Sequence, residues 1–183
     1  DFYAMYYREE RPLQELEKEA ASHAYDIIYL DPEVRQLWQK MNNWVYEGWK
    51  QTYEDQNVSF DIYSYESDDI DVGKEMVEEA IKKGVAERHE TGAVIAKLEK
   101  YGMPDKVLLR SDGTSVYATK DLCLAKSSFE KYNFDKRLYV VDFRQSDYFR
   151  QIFMILKLMG YKWARNLHHI AYGFVSLPGG AMS

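Results

Sequence analysis

From Lys106 onward the chain alternates short apolar runs with segments of helical period, and this rhythm limits the possible folds more than any other feature. Lys106-Val107-Leu108-Leu109-Arg110 reads as a strand running into an Asp112-Gly113 turn. A helix is expected over about 119–132, an apolar strand over 138–141, a helix over about 146–159 stopped by Gly160, and a strand over 169–172. Successive strand and helix units of this kind build a parallel sheet with helices packed on its faces. The predicted fold class is therefore α/β, the second half of a doubly wound parallel sheet. Ligands of such sheets bind beyond the carboxyl ends of the strands. Tyr117, Asp121, residues 142–145 and residues 172–175 are thus expected around one crevice.

Residues 1–105 have a different character and read as a helical insertion with a small β-hairpin, leaving 106–183 for the sheet. Helix formers after Pro12 predict a helix over about 13–25. Asp31-Pro32-Glu33 then combines a cap, a first-turn proline and an acid. Val34, Leu37, Trp38, Met41, Trp44, Val45 and Trp49 follow at helical spacing to about Tyr53. Three tryptophans on one stripe could stack on nucleobases, but a stripe of this period reads as core or interdomain packing. Residues 58–63 alternate like a strand, and the acidic residues Glu66, Asp68, Asp69 and Asp71 follow in a loop. That cluster lacks the glycine turn and ordered spacing of a calcium loop, so no tightly bound structural metal is expected. A helix over 72–83 stops at Gly84, and 85–88 and 93–96 form a hairpin around Thr91-Gly92.

Composition excludes several classes. A chain of 183 residues with net charge −6 can bury a full core but has no general affinity for nucleic acid, so any such contact must be local. The single Cys123 rules out an internal disulfide framework and a multi-thiolate zinc site, and it fits a reducing, cytoplasmic setting. No apolar run reaches the ~20 residues that span a bilayer, and no leader-like segment opens the chain, so no membrane partner is expected. The aromatic opening 1–7 and the unfinished end 179–183 read as the edges of a piece of a longer protein.

The run Asp112-Gly113-Thr114-Ser115-Val116-Tyr117-Ala118-Thr119-Lys120-Asp121-Leu122 concentrates the chemistry. On a helix Tyr117 and Asp121 are one turn apart and share a face, a phenol and a carboxylate suited to a cation. The same letters also fit an ordinary helix opening, with the Thr119 hydroxyl capping free amides and Asp121 at the positive dipole end. Gln145 can orient an ammonium or carboxylate without titrating, or cap the helix that follows. His168 and His169 are adjacent, so on a strand they face opposite ways and cannot clamp a metal together. His169 reads as buried packing or as a support behind site residues.

These segments resemble the class I arginyl-tRNA synthetases. The resemblance is carried by 110–122, Glu130-Lys131-Tyr132-Asn133-Phe134-Asp135, Tyr139-Val140-Val141, Gln145 with Phe149 and the helix over 152–160, and His169-Ile170-Ala171-Tyr172-Gly173-Phe174-Val175 before Gly180-Ala181-Met182-Ser183. Asp31-Pro32-Glu33, 38–48, Phe60-Asp61 and Glu66-Ser67 look like the stretch this family places between its two nucleotide-binding signatures. The resemblance implies a Rossmann-like catalytic fold and ATP-dependent activation of L-arginine to arginyl-adenylate, followed by transfer to tRNA(Arg), with Mg2+ accompanying ATP as substrate. It further implies that Tyr117 and Asp121 contact the arginine guanidinium and that Gln145 holds the amino-acid end. Tyr172, Gly173, Phe174 and Val175 would lie near adenine, and Met182 and Ser183 would begin the mobile lysine-methionine-serine loop. No side chain is assigned as a catalytic acid or base. The chain departs from the pattern in two ways: the histidine-rich first signature belongs before residue 1, and Ala181 stands where the loop has its first lysine. Those departures leave a second reading, a non-catalytic arginine-binding or protein-interaction module derived from a synthetase. Lys120, where the family often has arginine, reads as a solvated charge, with a contact to the tRNA acceptor end as the alternative.

Overall fold

A computed structural model of the chain describes residues 32–65, 70–174, 176–177 and 180–181. The expected helix over 13–25 lies outside the described residues. The chain divides into two compact units, 1–63 and 64–183.

In the first unit, α1 (Pro32–Asp55) starts at its first-turn proline as predicted. Its stop is a Schellman arrangement. The Val58 amide donates to the Tyr53 carbonyl at 2.8 Å and the Asn57 amide to Glu54 at 3.0 Å, with Asn57 left-handed at φ 54°. No residue of α1 is buried, and Trp44 is 62% exposed. Core packing of the tryptophan stripe is therefore not what this structure shows. Periodicity places side chains on one face but does not say what lies against that face. The expected strand over 58–63 is also absent, because alternation alone supplies no partner strand. Its aromatics turn back on the helix end instead, with Phe60 edge-on to Tyr53 at 4.9 Å.

The second unit opens with α2 (Ile70–Lys82). Gly84 takes φ +65° and lets the Val85 amide close onto the Ala80 carbonyl at 3.0 Å. Of the acidic loop, 66–69 lie outside the described residues. The expected hairpin forms from β1 (Ala86–Arg88) and β2 (Val94–Ala96), and β3 (Lys106–Leu109) adds a third antiparallel strand beside β2. Gly92 sits at the hairpin tip with φ +89°, and a Cβ there would come within 3.0 Å of the Ser111 carbonyl oxygen.

Between β2 and β3, the Asp105 carboxylate accepts from the Leu98 and Glu99 amides at 2.7 and 3.3 Å and meets Lys97 Nζ at 2.7 Å. The Lys97 bond first, then the Leu98 amide, hold this carboxyl below its usual range. A depressed folded pKa stabilises the fold above the unfolded value, about 3.9 for Asp, and that contribution is lost as pH falls through the folded value. Asp105→Asn is therefore expected to lower Tm at neutral pH, with the gap to wild type closing below about pH 4. A gap that stays constant in melts down to strongly acidic pH would show that charge has no part in it.

After the Asp112-Gly113 turn, α3 (Tyr117–Tyr132) begins two residues earlier than expected. Val116 is its N-cap and no side chain caps it. The Thr119 hydroxyl, expected as a cap, is fully buried and donates to the Leu108 carbonyl, tying α3 to β3. Then come β4 (Arg137–Asp142), a 3-10 turn over Phe143–Gln145, α4 (Ser146–Leu158), a 3-10 turn over Lys162–Asn166 and β5 (Leu167–Tyr172). The strands β4 and β5 pair in parallel, from Arg137 opposite Leu167 to Asp142 opposite Tyr172. The described sheets are thus a small parallel pair and a three-stranded antiparallel sheet, a mixed α/β fold, with a short pairing of Ser176–Leu177 on Gly180–Ala181 besides. One core, including Met76, Leu98, Leu108, Leu122, Ile152 and Leu156, joins α2, the antiparallel sheet, α3 and α4. No described helix is long and apolar enough to cross a membrane.

Candidate functional site

The carboxyl end of the parallel pair brings several predicted residues together. β4 runs out at Asp142, whose carboxylate accepts the Arg144 amide at 2.8 Å and grips its guanidinium with both oxygens, at 2.8 and 3.2 Å. Those bonds from Arg144 keep the Asp142 carboxyl below the ordinary carboxylate range. The same guanidinium lies 5.2 Å from the centre of the Phe174 ring, just past the end of β5. Residues 142–144 and 174 therefore meet at one end of the pair, as the strand–helix rhythm predicts.

Gln145 follows at the junction with α4. It is exposed, and its side chain makes no capping bond. Gln145 thus occupies the N-cap position of α4 without capping it through its side chain. Tyr172 and Gly173 are exposed beside it in sequence to Phe174, while Val175, Met182 and Ser183 lie outside the described residues. Ala181 pairs with Ser176.

Asp121 is held from α4. Tyr148 is in the first turn of α4, and its hydroxyl donates to Asp121 Oδ2. The bond ties Asp121 to the first turn of the helix that follows β4. Tyr117, one turn earlier on α3, is 74% exposed, with Lys120 Nζ 5.8 Å from its ring centre. Asp121 is the fifth residue of α3, beyond the free amides of the first turn, so capping does not account for it.

Tyr148 was not legible as a site residue, nor were two side chains that pack near it, Lys106 on Tyr148 itself and Tyr139 on Phe149. Lys106 at the start of β3 holds its ammonium 4.5 Å from the Tyr148 ring centre, and burial lowers its pKa. The Tyr139 hydroxyl, on β4, is buried without a hydrogen-bond partner. Burial, partly countered by Arg137 and reinforced by Asp121, pushes its pKa up to about 12. The available signal was Tyr148 itself, four residues before the buried Ile152, since a phenol on a buried helix face needs a polar partner. His169 packs as expected, its ring 5.2 Å from Phe149 and Nε2 3.2 Å from the Val141 carbonyl oxygen.

A parallel pair linked by a helix, with polar side chains past its carboxyl end and an antiparallel sheet alongside in sequence, places the chain among mixed α/β domains. Residues 1–180 match the family described as tRNA synthetases class I (R), catalytic domain, and the chain belongs to that family. It is 47% identical over 152 residues to an arginine–tRNA ligase of Bacteroides fragilis, an alignment covering 83% of this chain and 26% of the relative. Against the arginine–tRNA ligase of Treponema pallidum it is 40% identical over 176 residues, 94% of this chain and 30% of the relative. The chain thus spans between a quarter and a third of these relatives. Among solved structures it superposes on the arginyl-tRNA synthetase of Plasmodium falciparum with a TM-score of 0.74 at 19% identity, covering 88% of this chain and 29% of that one. The Thermus thermophilus arginyl-tRNA synthetase gives a TM-score of 0.56 at 20% identity, covering 89% and 37%.

Proposed function

We propose that this chain is the part of an arginine–tRNA ligase that binds arginine and the adenine side of ATP. The observation that carries the reading is the half-buried Asp121 carboxylate, held by Tyr148 from the first turn of α4, in a member of the class I synthetase family. A carboxylate accepts the planar fork of guanidinium donors, and the Tyr117 phenol one turn away can accept another. Gln145, at the entrance to α4, orients the amino-acid end of the substrate. Tyr172, Gly173, Phe174 and Val175 serve the adenine, and Met182 and Ser183 belong to the lysine-methionine-serine signature.

In the reaction the arginine carboxylate attacks the α-phosphorus of ATP and pyrophosphate leaves, giving arginyl-adenylate; the arginyl group then passes to tRNA(Arg). The residues of this chain contribute positioning and electrostatics. Magnesium enters with ATP and is held largely by its phosphates. The setting is cytoplasmic.

The finer fold belongs to the same reading: residues 106–183 as the second half of a doubly wound sheet, and 1–105 as an insertion in the catalytic domain. Leu138, Val140 and Ile170, at 57%, 63% and 47% exposed, support it. They alternate with Tyr139, which packs on Phe149 and Phe153 of α4, and so form the opposite face of the pair. Parallel sheets are covered on both faces in complete domains.

Pyrophosphate exchange by the full-length protein tests the activity. Exchange that depends on arginine and not on lysine or glutamine is expected; exchange driven equally by another amino acid, or none with arginine, tRNA and ATP all present, would remove the reading.

A further inference from the structure

We propose that Tyr148 is a positioning residue: its hydroxyl, donating to Asp121 Oδ2, holds that carboxylate in the orientation from which it meets the substrate guanidinium. The inference rests on the arginine-binding reading of Asp121 and adds a residue and a device to it.

Geometry separates this role from plain packing. Tyr148 stands in the first turn of α4, 27 residues beyond its partner on α3, so the bond ties together two elements whose starts both approach the candidate site. The packing of Tyr148 is done by its ring. Phe149 meets it edge-on at 5.3 Å and the Lys106 ammonium lies 4.5 Å from its centre. The hydroxyl has a different task, one strong bond to an anion. Burial and the adjacent Asp121 carboxylate both push the Tyr148 pKa up, so the phenol keeps its proton and remains a donor.

A carboxylate has about four lone-pair sites. Accepting the phenol on Oδ2 therefore does not by itself exclude a guanidinium. Without the phenol, its two side-chain torsions have one restraint fewer. A bidentate contact needs the carboxylate plane aligned with the guanidinium plane, and misalignment is lost as substrate affinity. Tyr139 provides an internal comparison. It is also a tyrosine packed on Phe149, its hydroxyl is buried, and that hydroxyl has no hydrogen-bond partner.

The test is steady-state pyrophosphate exchange and thermal melting of the full-length protein carrying Tyr148→Phe, Tyr139→Phe, Asp121→Asn, or Asp121→Asn with Tyr148→Phe. Tyr148→Phe is expected to raise the arginine KM roughly tenfold or more, the effect of deleting a hydrogen bond to a charged group. The ATP KM should stay near wild type, Tm should fall by no more than roughly 10 °C, and Tyr139→Phe should leave the arginine KM unchanged. In the Asp121→Asn background the second substitution should add little, because with the carboxylate gone no guanidinium pairing is left for the phenol to orient. An unchanged arginine KM in Tyr148→Phe beside an impaired Asp121→Asn overturns the positioning role and leaves the arginine site standing. Wild-type arginine kinetics in Asp121→Asn instead removes the site itself. Three further results overturn the role by assigning the hydroxyl to folding or to general packing: Tyr148→Phe that fails to fold, arginine and ATP KM rising together, or an equal effect from Tyr139→Phe.

Discussion

Asp121→Asn in the full-length protein is expected to raise the arginine KM, or depress kcat/KM for arginine, by between about thirtyfold and several thousandfold, with ATP KM and Tm close to wild type. The magnitude follows from removing one partner of a desolvated charge pair, roughly 2–5 kcal/mol, at about 1.4 kcal/mol per tenfold. Asparagine keeps the size and one carbonyl oxygen, so the Tyr148 hydroxyl still has an acceptor and the junction between α3 and α4 survives. The guanidinium fares differently. It meets an amide that directs two donors at a cation in place of an anion that only accepts. A purely structural role for Asp121 would give the opposite pattern, a lowered Tm with ordinary arginine kinetics. Initial-rate kinetics in arginine and in ATP, with a melt of the same preparation, separate the two outcomes.

The elements legible in the sequence were those set by local physics. Gly84 and Gly160 mark helix ends because the chain there needs φ of +65° and +88°. The apolar runs that became β4 and β5, and the amphipathic segment between them, were readable because a strand–helix–strand unit gives both periods in order. Once that unit is placed, the end that carries 142–145 and 172–174 follows from topology. What stayed hidden depends on partners distant in sequence. Residues 58–63 alternate as well as many strands do, yet no described strand pairs with them. β3 pairs with the hairpin, a choice its own four residues do not encode. Thr119 and Asp121 both looked like caps, while the fold gives one to the Leu108 carbonyl and the other to Tyr148. The chemistry of Asp121 was thus visible as a residue type, and its setting was visible only once α3 and α4 were packed.

The core makes an equally large demand on one helix face. Ile152 is fully buried in α4, with Ile155 and Leu156 beside it on the same stripe. Truncating it removes three methyl or methylene groups from a fully buried position on a helix that packs against α3 and β5. Ile152→Ala is therefore expected to cost about 2–5 kcal/mol, against a total stability of roughly 5–15 kcal/mol for a domain. That corresponds to a fall in Tm on the order of 10 °C at this chain length. Leu37→Ala on α1 is the informative contrast. Leu37 also belongs to an apolar stripe of helical period, but it is 56% exposed in this chain, so removing its side chain is expected to change stability by about 0.5 kcal/mol or less. Thermal or urea melts of the 183-residue chain carrying each substitution compare the two stripes directly. Equal losses from the two would mean that α1 is packed as tightly as α4, while the expected inequality follows because burial, which helical period alone does not reveal, sets the energy of an apolar side chain.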